Sequence, residues 1–368
     1  MYRLLAALAL AVSAAPAFAA DADPPKPNTL TAKEIADGWV LLFDGETTFG
    51  WKIDGPAEVK NGALVLGGDK TTTATLTSTF GDYEARMEAG GTGSIVLGAA
   101  TTRCNVELHK QMSLVTLKVV VTGPRGVSGT TIQSETSTRP EGTQTTIKAT
   151  TNVPAELRLV VPAGGTLTVK SMKRKSGNSV PLFTGKGLDG WKVNTADPKR
   201  AASKWEVTKD GELSVKNGPG DLVTEKEFDN FVLQFECKTL GKALNSGIFF
   251  RCIPGQYQNG YEAQVQNAYK DGDRTKPADF GTGAIYRRVP ARKVVSNDNE
   301  WFTMTVAANG RRISTWVNGY QTVDWLDDRK ESDNPRQGFR AAKGPLSIQG
   351  HDPTTDILFR NIRIAPLP

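Results

Sequence analysis

The sequence predicts an all-β protein built from two tandem β-sandwich domains, and three observations carry that prediction. Short segments with alternating apolar and polar residues recur along the chain, punctuated by turn dipeptides, with almost no helical periodicity. The composition agrees: 37 glycines in 368 residues, with 38% hydrophobic and 8% aromatic content, fit a turn-rich β protein long enough for two cores. The third observation is an internal repeat. Leu42-Phe43-Asp44-Gly45 through Gly50-Trp51-Lys52 returns as Leu182-Phe183-Thr184-Gly185 through Gly190-Trp191-Lys192, 140 positions on. Asn61-Gly62-Ala63-Leu64 is echoed by Asp210-Gly211-Glu212-Leu213, Phe80 to Glu88 by Phe228 to Glu236, and Val106-Glu107 by Tyr261-Glu262. Order is kept while the offset drifts, as in two related domains with different loops.

These landmarks divide the chain into residues 39–178 and 179–368. Ahead of them, residues 1–20 read as a signal peptide: Arg3 precedes an apolar run from Leu4 to Val12, and Ala17-Phe18-Ala19 supplies a small-x-small cleavage pattern. Residues 21–38 read as a tether rich in proline and charge, with one helical turn over Thr31–Asp37 capped by Thr31 and Glu34. A secreted or periplasmic location follows from the leader. No later segment has the eighteen consecutive apolar residues of a membrane span.

Net charge is +6, and +5 without Arg3. The basic residues are scattered and lack the stripe with interleaved aromatics that a nucleic-acid binder needs; Lys170 to Lys175, KSMKRK, reads as a solvated edge or linker. The three cysteines, Cys104, Cys237 and Cys252, form no dense framework, although Cys237 and Cys252 sit where a hairpin could pair them.

Within the second domain, Trp301 to Val323 reads as a three-stranded meander with turns at Asn309-Gly310 and Asn318-Gly319. Phe302, Met304, Val306, Ile313, Thr315 and Val317 face the core, while Trp301, Thr303, Thr305, Ser314 and Trp316 share the other face, with Thr303 opposite Trp316. The loop Asn267–Gly283 has no counterpart in the first domain and is long enough to form a functional rim.

The stretch Ser246–Asn267 has the strongest functional signature. Alternation puts Ile248, Phe250 and Cys252 on one face and Phe249 and Arg251 on the other. It also separates Tyr261, Ala263 and Val265 from an unbroken polar row, Glu262, Gln264 and Gln266. An ordinary wet face needs no such row, which looks built to hold a polar ligand. Gln264 and Gln266 can donate to and accept from sugar hydroxyls. Trp301 and Trp316 offer flat apolar surfaces for stacking a sugar ring, or are buried under a neighbouring loop or the first domain.

The Leu-Phe-x-Gly…Gly-Trp opening, Asn245-Ser246-Gly247-Ile248-Phe249-Phe250-Arg251 and Tyr261-Glu262-x-Gln264-Val265 resemble the 3-keto-disaccharide hydrolase family. So do Gly283-Ala284-Ile285-Tyr286, Trp316-Val317-Asn318-Gly319 and Ile348-Gln349-Gly350-His351…Phe359-Arg360-Asn361-Ile362. The resemblance covers essentially all of the second domain; the first looks like a shortened, divergent copy. It implies a concanavalin-like jelly-roll sandwich and cleavage of glycosides whose 3-hydroxyl has become a ketone. Abstraction of the C2 proton, elimination of the aglycone and hydration need a base and a positive group for the enolate oxygen. His351 fits the base, Arg251 the fixed positive charge, and Glu262 would orient either or bind a cation.

The expected site is therefore His351, Arg251 and Glu262 for catalysis, with Gln264, Gln266, Tyr286, Trp301, Trp316 and Phe249 for substrate. The bland readings are a loop hydrogen bond for His351 and a structural ion pair between Arg251 and Glu262. A divalent metal ion is the one cofactor candidate; Asp271 and Asp273 alone lack calcium's ligand count. A two-carboxylate glycosidase would pair Glu262 with Asp279 or Asp352. The competing function is a carbohydrate-binding or cell-envelope scaffold protein using the same concave face. In the first domain Glu107 matches Glu262, Gly98 stands in for Arg251 and His109 for Gln264, which makes that domain the expected accessory unit.

Overall fold

The computed structural model describes residues 28–98, 104–108, 110–121, 131–139, 142–151 and 156–367. The expected leader, the first seven residues of the tether and His109 lie outside the described residues. The chain enters through the helix Ala32–Ala36, where Thr31 and Glu34 form the expected reciprocal capping box. Among the described residues after it, the regular structure is β strand apart from one short 3-10 turn at Pro198–Arg200, in two units with two sheets each.

In the second unit an eight-stranded sheet runs in the order 204–207, 213–216, 356–366, 231–239, 302–309, 312–317, 320–326, with 180–181 also paired to 356–366. A five-stranded sheet runs 191–193, 220–228, 344–350, 246–250, 261–265. The first unit has the same order in its own eight strands (57–60, 63–67, 166–176, 83–91, 113–121, 142–151, 131–139, with 39–41 beside 166–176) and five strands (51–54, 72–76, 157–161, 94–97, 104–107). One edge differs. In the first unit the strand 142–151 runs parallel to 113–121, whereas in the second 312–317 returns antiparallel to 302–309.

Alternation fixes which face each strand buries. Leu233, Phe235, Met304, Val306 and Phe359 from the larger sheet meet Leu222, Ile248, Phe250, Ala263, Val265 and Ile348 from the smaller one to form the second unit's core. The repeated Gly-Trp motif has a physical role in both units. The indole of Trp51 donates to the carbonyl of Leu42 at 2.6 Å, and that of Trp191 to Leu182 at 2.8 Å, pinning each entry loop to the motif that opens it. Cys237 and Cys252 are both buried free thiols, so the hairpin pairing considered for them is not formed.

The meander's register needs one correction. Asn309 pairs with Arg312 and Thr305 with Trp316, so the first turn is Gly310-Arg311 rather than Asn309-Gly310. The shift is two residues, an even number, and every side chain keeps its expected face. Asn318 and Gly319 do form the second turn, both with positive φ.

The outward face of the second unit's eight-stranded sheet is not free. Val232, Ala307, Trp316, Ala365 and Leu367 belong to the first unit's hydrophobic cluster. Trp316 is 1% exposed; its indole N–H donates to the carbonyl of Leu41 at 3.0 Å and its ring meets Phe80 edge-on with centroids 5.9 Å apart. Gln234 donates to Gly38, the Leu41 amide to Gly319, and Arg292 pairs with Asp44 at 2.6 Å. Trp316→Ala should therefore lower the unfolding free energy by about 3–5 kcal/mol through the cavity left at this junction. Denaturant titration of the full chain would show it, and an unchanged midpoint would contradict this account of the junction.

Candidate functional site

The polar row on the strand Tyr261–Val265 is roofed rather than wet. Glu262, Gln264 and Gln266 are all buried, because the loops before and after the strand and the segment 327–340 fold over the outward face of the five-stranded sheet. Beneath this roof lies a cavity of about 340 Å³ walled by Phe249, Gln258, Glu262, Tyr286, Arg287, Arg288, Arg336 and Gln349. Phe249 pairs with Glu262 across neighbouring strands, so the aromatic ring and the carboxyl reach the same face.

Glu262 is the centre of this cavity. It is 6% exposed, and its carboxyl makes no hydrogen bond or ion pair with any of the described residues. Burial lifts its pKa from near 4.5 to about 8, with the negative charge of Asp279 adding to the rise and Arg336 and Arg287 opposing it. Room for the side chain comes from Gly247, one strand over, where a Cβ would stand 2.7 Å from Glu262 Oε1 and 2.9 Å from its Cγ. A protonatable carboxyl held near neutral pH beside three guanidinium groups can shuttle a proton while the arginines hold a developing anion.

Two of the three arginines are held by backbone carbonyls and the third by an aromatic ring. Arg336 donates to the carbonyl of Gln258 at 2.9 Å, Arg288 to those of Arg336 at 2.8 Å and Pro335 at 3.3 Å, and Arg287 lies over the Tyr286 ring at 5.2 Å. Among the described residues no three His, Cys, Asp or Glu side chains converge as a cation cage. The residues around Glu262 do not fit a divalent ion, because three cationic groups share its cavity. Asp271 and Asp273 both turn toward Lys276, an ordinary solvated loop arrangement.

The expected site residues divide between this cavity and elsewhere. Glu262, Tyr286 and Phe249 line it. Gln264 sits beside it, donating weakly to Asp279 and Asn245 while its Oε1 is buried without a partner. Gln266 is occupied in holding the loop: its side chain accepts from the Ala268 amide at 2.6 Å and donates to Ala243 at 3.4 Å.

Arg251 corrects the expectation most clearly. It is fully buried away from the cavity, with its guanidinium donating to the carbonyls of Asp229, Gly310 and Arg340 and to Asn230 Oδ1. Its positive φ of 49° ends the strand and turns its side chain out of the strand's alternation, so neither a cavity role nor an ion pair with Glu262 is formed. His351 lies past the end of its strand, half-exposed, with Nδ1 2.7 Å from Asp352, and lines none of this cavity. Trp316 is the inter-unit residue described above, and Trp301 shares its sheet face, capped by the Arg360 guanidinium at 3.9 Å. Both tryptophans thus belong to the sheet opposite the cavity.

Sequence reasoning missed Arg287, Arg288, Arg336 and Gln258, all of them on loops where strand alternation gives no signal. The Arg287-Arg288 doublet after Tyr286 was the one available cue. The first unit does not repeat the arrangement. Ser94 pairs with Glu107 and Leu97 with Cys104, so with Gly98 in the place of Arg251, Glu107 takes the place of Gln264 rather than of Glu262, and it is exposed.

The chain is similar to several known proteins. The family profile of the 3-keto-alpha-glucoside-1,2-lyase-like domain matches residues 178–365, just over half of the chain. A 3-keto-disaccharide hydrolase of Bacteroides thetaiotaomicron is 32% identical over 130 residues, which is 33% of this chain and 38% of that protein. The chain thus matches well under half the length of that relative. Among solved structures, a Parabacteroides distasonis protein provisionally assigned as a glycosyl hydrolase is 23% identical, covering 52% of this chain and 94% of its own, with a TM-score of 0.41. A carbohydrate-binding module of Bacillus subtilis is 14% identical over 47% of this chain and 93% of its own, with a TM-score of 0.30.

Two outcomes follow from the geometry alone. Arg251→Lys keeps the charge but loses the fork that reaches several carbonyls, and should cost at least about 1.5–3 kcal/mol in denaturant unfolding. Glu262 binds its proton more tightly folded than unfolded, so its contribution to stability is full below about pH 4.5 and is lost as pH rises toward about 8. Glu262→Gln should flatten that decline. Melting curves across the range would test it, and a variant that still loses stability to the same extent would refute the assignment.

Proposed function

The chain belongs to the 3-keto-alpha-glucoside-1,2-lyase-like domain family, and on that premise we propose that its second unit cleaves 3-keto-glycosides with Glu262 as the acid–base group. The observation that carries this reading is the buried, unpaired Glu262 carboxyl facing a cavity with Arg287 and Arg336. A ketone at C3 acidifies the C2–H bond. The Glu262 carboxylate takes that proton, and the electron pair moves onto the C3 oxygen as an enolate that the arginines hold. Collapse of the enolate forms the C1–C2 double bond and expels the C1 aglycone oxygen, which receives the proton from the Glu262 carboxyl. Water then adds across the double bond to give the free keto sugar.

Phe249 and Tyr286 supply apolar surface for the C–H face of the ring, and Gln349 and Gln264 supply oxygen acceptors for its hydroxyls. The leader-like residues 1–20 support action outside the cytosol, and the first unit acts as an accessory. Carbohydrate binding without turnover is the second reading, favoured by the same unpartnered amide oxygens.

Incubation with a 3-keto-glucoside and with its unoxidised parent separates the two readings. Aglycone should be released from the keto sugar alone, with a rate that rises as pH passes through about 8 and Glu262 loses its proton. Glu262→Gln should lower kcat by at least about 100-fold, whereas His351→Ala leaves it unchanged. Sugar binding with no release from the wild type would leave only the binding reading.

A further inference from the structure

The outward face of the five-stranded sheet extends beyond the Glu262 cavity, and what lies there is chemically consistent. Asp221, on the strand Gly220–Phe228, pairs directly with Gln349 on the next strand. Gln349 lines the Glu262 cavity, while Asp221 lines a neighbouring chamber of about 390 Å³ together with Asn194, Val223, Ile253, Pro345 and Ser347. Asp221 is 1% exposed. Its Oδ2 accepts from Ser347 at 3.0 Å and from Asn194 at 3.4 Å, but Oδ1 has no hydrogen-bond partner. The Gln258 amide comes near the carboxylate and moderates it without the geometry of a hydrogen bond to Oδ1, and burial still holds the carboxyl above its ordinary range.

Asp221 is not alone. Gln349 Oε1 and Gln264 Oε1 are also buried without partners, on two further strands of the same face. Three unsatisfied acceptors therefore cross the sheet from Gly220–Phe228 to Tyr261–Val265, a width of about 14 Å at ~4.8 Å per strand. Buried acceptors without donors cost free energy until a ligand brings hydrogens to them. A row of such oxygens, one of them above an apolar wall of Val223, Ile253 and Pro345, calls for a ligand with several hydroxyls and an apolar ring face.

We propose that the Asp221 chamber is a second sugar subsite, in which Asp221 Oδ1 accepts a hydroxyl of the ring on the aglycone side of a keto-disaccharide. The assignment rests on the cleavage reading for the identity of the neighbouring ring, and not for the chamber itself. Sugars with a small aglycone would fill the Glu262 cavity alone, while a disaccharide would span both.

The test titrates the full chain calorimetrically, in a Glu262→Gln background that prevents turnover. The two ligands are a 3-keto α-linked glucose disaccharide and methyl 3-keto-α-glucoside. The disaccharide should bind at least about tenfold more tightly, and Asp221→Ala should remove that advantage without changing the affinity for the methyl glycoside. Val223→Trp, which fills the chamber and leaves Asp221 in place, should do the same, and guards against a folding defect in the first variant. Equal binding of the two ligands, an advantage that survives both substitutions, or no binding of either overturns the subsite. Cleavage is read separately on the unsubstituted chain. An Asp221-dependent preference with no cleavage sustains the subsite and removes the lyase reading instead.

Discussion

A single buried guanidinium organises the walls of the cavity. Arg251 sits at the end of the strand that faces Glu262, and its donors reach three backbone carbonyls and one amide oxygen drawn from separate segments, residues 229–230, 310 and 340. Burying a charge is costly unless its donors are met, and here three backbone carbonyls and one side-chain amide oxygen accept four hydrogen bonds from its five N–H groups in place of a counter-ion. In return Arg340 donates to the Arg251 carbonyl at 3.1 Å and to that of Asp333 at 2.7 Å. This reciprocal clasp fixes the segment that presents Pro335 and Arg336 to the cavity. Arg251 thus shapes the site by positioning and never touches it.

With the walls held from behind, the front can tolerate an unsatisfied group. Glu262 lies on a strand whose five residues are all buried, diagonally across from Gly247 on the neighbouring strand, whose missing Cβ leaves the space its carboxyl occupies. Nothing in the fold requires a carboxyl there, and a fold selected for stability alone would place an apolar or amide side chain at that point. The free energy spent on dehydrating it raises its proton affinity into the range useful for chemistry at neutral pH. Neighbouring Asp279 pushes in the same direction, and the arginines restrain the shift without pairing with the carboxyl.

The strands were legible in the sequence and the loops were not, and the difference is physical. Period-two alternation put Phe249 with Glu262, Ile248 with Phe250, and Trp301 with Trp316 on their observed faces, because side-chain direction in a strand is set by parity alone. The same rule survived a two-residue error at the Asn309-Gly310 turn. It failed at Arg251, where a positive φ ends the strand and the parity argument no longer applies. It was also silent on Arg287, Arg288 and Arg336, which reach the cavity from loops whose paths depend on long-range backbone hydrogen bonds. His351 had chemical aptitude in its favour, but position in a fold decides whether aptitude is used, and its ring points to Asp352 and solvent.

The placement of the first unit explains why only one face of the second is available for ligand. A β-sandwich presents two outward faces, and wet-face aromatics on either are natural candidates for sugar stacking. Here the eight-stranded face carries Trp316, Ala307 and Val232 into the first unit's core, its Gln234 is consumed by a contact to Gly38, and Arg292 from an adjoining loop pairs with Asp44. An aromatic already packed edge-on against Phe80 cannot also stack on a sugar. Recognition is left to the five-stranded face, whose unpaired acceptors no other part of the described chain satisfies.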